Sequence, residues 1–169
     1  SHFNLGCVYT QKGEYDLAIE AFKRGLEIKP DWLEAHTNLG AAYETNKMFE
    51  EAMKEYKMAL MLNPGIPESH LNLGNLYFKM KKYDDAVAEY NMATKLEPGF
   101  PEAYNNLGYA YLTQGKYSLA INHFMKAVEL KPGYVSAHNN LGQAYIKVGL
   151  REKAMEQYDI VHELTGKNK

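Results

Sequence analysis

Residues 104–111 read "YNNLGYAY", and the core of that stretch returns as "FNLGCVY" (3–9), "TNLGAAY" (37–43), "LNLGNLY" (71–77) and "NNLGQAY" (139–145). Successive copies start 34 residues apart, with no gap anywhere in the chain. The asparagine before Leu-Gly, at Asn4, Asn38, Asn72, Asn106 and Asn140, costs a helix interior roughly 0.5 kcal/mol relative to alanine. Its persistence raises the question of which way it points.

The same period organises the rest of the chain. Gly6, Gly40, Gly74, Gly108 and Gly142 form one row, and Tyr9, Tyr43, Tyr77, Tyr111 and Tyr145 another; Ala18, Ala52, Ala86, Ala120 and Ala154 form a third. Pro30, Pro64, Pro98 and Pro132 keep the same step. Within each repeat the apolar spacing is helical: Leu39, Gly40 and Tyr43 share one face of a first helix, and Ala52, Tyr56, Ala59 and Leu62 recur at three and four on a second. Each repeat is therefore expected to be a helix pair, with turns such as "QKGEY" (11–15) ending the first helix at a glycine. Pro67 and Pro101 stand where a first helical residue belongs, each followed by a glutamate suited to a helix N-terminus.

Tyr104, Leu107, Gly108, Tyr111, Ala120, Phe124, Ala127 and Pro132 lie at the offsets of the tetratricopeptide repeat, and the chain resembles that family along its whole length. His2, His36, His70 and His138 replace the opening aromatic in the other repeats, and Val161 and Gly166 depart from the pattern in the last. The resemblance implies an all-α, right-handed superhelical solenoid of five antiparallel helix pairs, one domain over 1–169 with repeats at 1–32, 33–66, 67–100, 101–134 and 135–168. It also implies that first helices line a concave groove and that stability comes from stacking between repeats. The row Trp32, Ile66, Phe100 and Tyr134 is expected to lie over the joints between them.

At about 100° per residue and with Asn106 set to zero, Leu107 falls near about 100°, Tyr111 near about 140°, Tyr104 near about 160° and Gly108 near about 200°. Asn106 thus points away from the face that packs. With first helices lining the groove, Asn38, Asn72, Asn106 and Asn140 form a ladder along it. Two readings of the ladder stay open: a polar background on a solvated face, or side-chain amides that grip the main chain of a partner peptide. For the second, the neighbouring rows supply Leu71, Asn75, Phe78, Asn105, Tyr109, Asn139 and Gln143, a mixture of apolar anchors and amides that suits a peptide or helical segment. The lysines and arginines with which one subgroup of the family clamps a chaperone's C-terminal carboxylate are absent; Phe3, Cys7, Glu68 and Asn72 stand at corresponding places.

Other functions find little support. With 19 basic and 21 acidic residues the net charge is −2, which offers no field for nucleic acid. No apolar run approaches the roughly 20 residues of a membrane span. The single cysteine, Cys7, precludes an internal disulfide framework and fits a reducing, cytoplasmic setting. Histidines one repeat apart are too far from one another to share a zinc ion, so the histidine row is assigned to packing and no metal or cofactor is expected. Adjacent carboxylates such as Asp84 and Asp85 face different sides of a helix, and no nucleophile stands beside a base, so no catalytic residues are assigned. His123 and His162 read as unremarkable outer-helix residues. The expected function is a non-catalytic protein-interaction scaffold binding a peptide or helical segment. The alternatives are the substrate-recruiting arm of a larger enzyme, of the kind found in O-linked N-acetylglucosamine transferases, and a scaffold that self-assembles end to end.

Overall fold

The computed structural model describes residues 2–166. Its ten α-helices among those residues are α1 (His2–Lys12), α2 (Tyr15–Ile28), α3 (Leu33–Thr45), α4 (Phe49–Leu62), α5 (Pro67–Lys79), α6 (Tyr83–Leu96), α7 (Pro101–Thr113), α8 (Tyr117–Leu130), α9 (Val135–Lys147) and α10 (Arg151–Gly166). No strand occurs among the described residues. The helices gather into two compact units, divided between Lys81 and Lys82. The first holds α1–α5 and the second α6–α10. The division falls inside the third repeat, although the sequence period crosses it without a gap.

Four first helices begin after an apolar residue in extended or near-extended backbone: Trp32, Ile66, Phe100 and Tyr134 precede α3, α5, α7 and α9, and none supplies a side-chain cap. Pro67 and Pro101 open α5 and α7, as their positions predict, because a residue at the first turn has no use for an N–H. Trp32 instead packs on Phe3 across the first joint, with ring centroids 4.5 Å apart, and Lys29 lies over the indole.

First helices end in a repeated turn whose penultimate residue is left-handed. Glu14 N–H donates to the Tyr9 carbonyl and Gly13 N–H to that of Thr10, at 2.9 and 3.1 Å, and Met48 and Lys47 repeat the pattern on Tyr43 and Glu44. Glycine fills the left-handed place at 13, 115 and 149, but lysine fills it at 47 and 81, with φ of 61° and 60°. A residue with a Cβ is strained there by roughly 1–2 kcal/mol. Lys47→Gly is therefore expected to stabilise the chain by about 0.5–1 kcal/mol, after the larger freedom of glycine in the unfolded chain is subtracted. A rise in the urea midpoint checks this; an unchanged or lower midpoint contradicts it.

In the first unit, α1 packs on α2, α2 on α3, α3 on α4 and α4 on α5; the second repeats the scheme from α6 to α10. In α1, α3, α7 and α9 the glycine row lets the first helix accept an aromatic ring from its partner: a Cβ on Gly40 would come within 2.8 Å of Tyr56, and one on Gly108 within 2.8 Å of Phe124. The rings are buried because the next repeat closes over them. Phe22, Tyr56 and Phe124 are 1%, 3% and 0% exposed, whereas Tyr158, the same residue of the last repeat, is 37% exposed. Polar links then tie neighbouring helices. The Glu44 carboxylate on α3 accepts from Tyr56 Oη at 2.8 Å and from Lys79 Nζ at 2.6 Å, and so joins α3, α4 and α5. Asn46 donates to Asp16 at 2.7 Å, and Gln114 donates to Asp84 at 2.8 Å two repeats later.

His36, His70 and His138 occupy the buried aromatic place expected of them, with a polar purpose added, whereas His2 in the first repeat is exposed. His36, His70 and His138 each donate from Nε2 to the carbonyl of the proline that ended the preceding repeat, Pro30, Pro64 and Pro132, at 2.8, 3.0 and 2.9 Å. Nδ1 of His36 pairs with Glu55, and Nδ1 of His138 with the Gln157 amide. With both ring nitrogens engaged, neither has a lone pair to offer a metal. His123 is not the plain outer-helix residue its position suggests. Its ring lies half-buried against Tyr111 at 5.4 Å and Tyr104 at 6.2 Å, nearly parallel to both, and burial pushes its pKa down.

Candidate functional site

The first helices carry the predicted ladder, and the two units present it differently. In the first unit, Asn38 on α3 and Asn72 on α5 line one cleft of about 220 Å³, together with Leu33, Glu34, Thr37, Ile66, Glu68 and Ser69. Both asparagines are half-buried, and neither side chain has a hydrogen-bond partner among the described residues. Thr37 is satisfied by its own helix, donating to the Leu33 carbonyl at 3.1 Å. Leu71, Asn75 and Phe78 lie on α5, half-buried, and are not part of the cleft wall.

Ser69 is the residue that helix arithmetic does not pick out. It is 5% exposed, it lines the cleft, and its hydroxyl has no hydrogen-bond partner among the described residues. Its equivalents Ala35, Ala103 and Ala137 are fully buried. A hydroxyl in a row that elsewhere needs only a methyl is the signal in the sequence.

In the second unit the amides are turned on one another. Asn140 Nδ2 on α9 donates to Asn105 Oδ1 on α7 at 2.9 Å, and Asn105 Nδ2 donates to Asn106 Oδ1 at 3.2 Å. Asn105, expected at the groove surface, lies beneath it at 7% exposure and holds its neighbours in place. Asn106, Asn139 and Asn140 are half-buried, and Tyr109 and Gln143 are exposed.

The acidic residues at the helix starts also differ between repeats. Glu34 and Glu68 lie in the first turns of α3 and α5 and rim the cleft, and neither has an ion-pair partner among the described residues. Glu102, in the first turn of α7, is taken by Lys131 Nζ at 2.9 Å. Burial works to raise the Glu102 carboxyl, but the hydrogen bond from Lys131, a backbone hydrogen bond and the ammonium charge outweigh it and hold the carboxyl below its ordinary value. The Lys131 ammonium is raised in turn by the same contact. The residues 29 positions after Glu34 and Glu68 are Asn63 and Glu97, so no lysine stands where Lys131 stands. Asn63 caps its own loop, accepting from Gly65 N–H at 3.0 Å.

A run of helix pairs of constant length, joined by short turns and presenting polar first-helix faces, defines a repeat scaffold. The chain belongs to the tetratricopeptide repeat family: a model described as TPR repeat matches residues 2–47 and 74–115, together more than half of the chain, and models described as tetratricopeptide repeat match 33–66, 101–134 and 135–159. The crystal structure of MamA is 28% identical over 97% of this chain and 96% of its own, with a TM-score of 0.89. PilF of Pseudomonas aeruginosa is 25% identical over 96% of this chain and 74% of its own, at a TM-score of 0.86. YrrB, described as a TPR protein with an unusual peptide-binding site, shares the fold at a TM-score of 0.78 and 23% identity, covering 96% of this chain and 84% of its own. A search of curated proteins by sequence returns no match.

Proposed function

We propose that this chain is a non-catalytic scaffold that holds an extended peptide or helical segment of a partner protein against its first helices. The observation that carries the proposal is the placing of Asn38 and Asn72 in one cleft with their amides unsatisfied by the protein itself. An asparagine amide offers both a donor edge and an acceptor edge, which is what the main chain of a partner requires. Leu71, Asn75 and Phe78 extend this surface on α5, and Asn106, Tyr109, Asn139, Asn140 and Gln143 offer a second on α7 and α9, with Asn105 as its support. At about 0.5–1.5 kcal/mol net per hydrogen bond, a few such contacts support micromolar affinity.

The test is selection of a displayed library of short random peptides on the intact chain, followed by calorimetry of the recovered peptides. Asn38→Ala with Asn72→Ala is expected to weaken them about tenfold or more while far-UV circular dichroism stays unchanged. Recovered peptides that bind this double variant as tightly as the parent would remove the cleft from the proposal.

A further inference from the structure

We infer that the cleft between α3 and α5 takes a lysine or arginine side chain, so that the segment this scaffold holds is basic at that point. The inference rests on the peptide-binding reading and adds the chemical class of the residue recognised. Two carboxylates, Glu34 and Glu68, rim the cleft without counterions, and no cationic side chain belongs to its wall. Inside are the Asn38 and Asn72 amides and the hydroxyl of Ser69, a residue that is 5% exposed and makes no side-chain hydrogen bond among the described residues. Serine, asparagine and glutamate oxygens together form an acceptor set, and lysine and arginine bring donors only.

The chain itself shows what such a carboxylate takes. Glu102, the equivalent of Glu34 and Glu68, is occupied by the protein's own Lys131 at 2.9 Å. For Glu34 and Glu68 the sequence places Asn63 and Glu97 where that lysine would be, which leaves the cation to come from elsewhere. At about 220 Å³ the cleft is smaller than the roughly 300 Å³ at which pockets for whole small molecules begin, and it suits one side chain. Leu33 and Ile66 give the aliphatic stem of lysine or arginine an apolar wall along which to lie. The helix N-termini beneath Glu34 and Glu68 offset part of their charge, so the preference is set by paired hydrogen bonds as well as by Coulomb attraction.

The experiment repeats the random-peptide selection on the intact chain, on Glu34→Gln with Glu68→Gln, and on Glu27→Gln with Glu163→Gln, which makes the same change of net charge at exposed sites elsewhere. Lysine and arginine are expected to be enriched at one position of peptides recovered by the parent and by the control variant. Replacing that residue by glutamine in a recovered peptide is expected to weaken it about tenfold against the parent and little against Glu34→Gln with Glu68→Gln. Enrichment that survives in the cleft variant, or that is lost equally in the control, overturns the inference. Peptides without a basic preference that still depend on Asn38 and Asn72 also overturn it while leaving the peptide-binding reading intact. If no recovered peptide depends on either pair of residues, both fall.

Discussion

Phe124→Ala is expected to destabilise the chain by about 3–5 kcal/mol, the range for emptying a fully buried aromatic site. The ring is 0% exposed and belongs to a core cluster with Ala120, Leu141, Ala144, Tyr145 and Ala154, drawn from α8, α9 and α10. It also fills the space over Gly108, where a Cβ would come within 2.8 Å of it. Deleting it therefore opens a cavity shared by two helix pairs. Tyr158→Ala removes the equivalent ring from the last repeat, where 37% of its surface is already in water, and is expected to cost about 1–2 kcal/mol. Urea unfolding of the two variants measures the difference. Equal losses would mean that the ring is stabilised within its own repeat and that coverage by the next adds little.

Gly40→Ala is expected to cost about 1–2 kcal/mol, even though alanine is the better helix former by about 1 kcal/mol. The added Cβ would stand 2.8 Å from Cδ1 and Cε1 of Tyr56, a distance that forces something to move. Tyr56 cannot yield easily. Its ring is buried, and its hydroxyl donates to Glu44, which Lys79 also holds. Burial, the Glu44 charge and that hydrogen bond all raise the phenol's pKa, so it remains a donor across the ordinary pH range. Gly142→Ala places a Cβ 2.7 Å from Tyr158, whose exposed ring can swing outward, and there the helix propensity should prevail. The opposite signs expected for one substitution in one row are checked by the same unfolding measurements.

The fold was legible because its period is constant. One row of glycines and one of alanines fixed where helices meet, and Pro67 and Pro101 marked helix starts to the residue. Residue type did not reveal that Lys47 and Lys81 adopt the left-handed turn, since the sequence signal for that conformation is glycine and the hydrogen bonds that enforce it are made by the backbone. His123 was missed because only the fourth repeat sets Tyr104 at the place that histidine holds in the others, and two tyrosines then enclose it.

The candidate site was legible in direction but not in depth. Helix arithmetic placed Asn38 and Asn72 away from the packing face, and both line the cleft. The same arithmetic put Asn105 on the flank of α7, yet a single helix cannot show that α9 will cover that flank and that Asn140 will bond to it. Ser69 is not marked out by helix arithmetic, because its interest comes from the cleft wall formed by two helices together.

The pairing of Glu102 with Lys131 bears on how such an array can diversify. Lys131 caps the end of α8, outside the faces through which the helices stack, and its counterparts Asn63 and Glu97 cap α4 and α6. Whether a repeat's carboxylate is paired within the chain is thus written at a loop position outside the buried core, where Lys131 also lies over the Tyr134 ring at 4.8 Å. On the proposed reading, a substitution there opens or silences a recognition position without rebuilding the core, and binding preferences can change one repeat at a time.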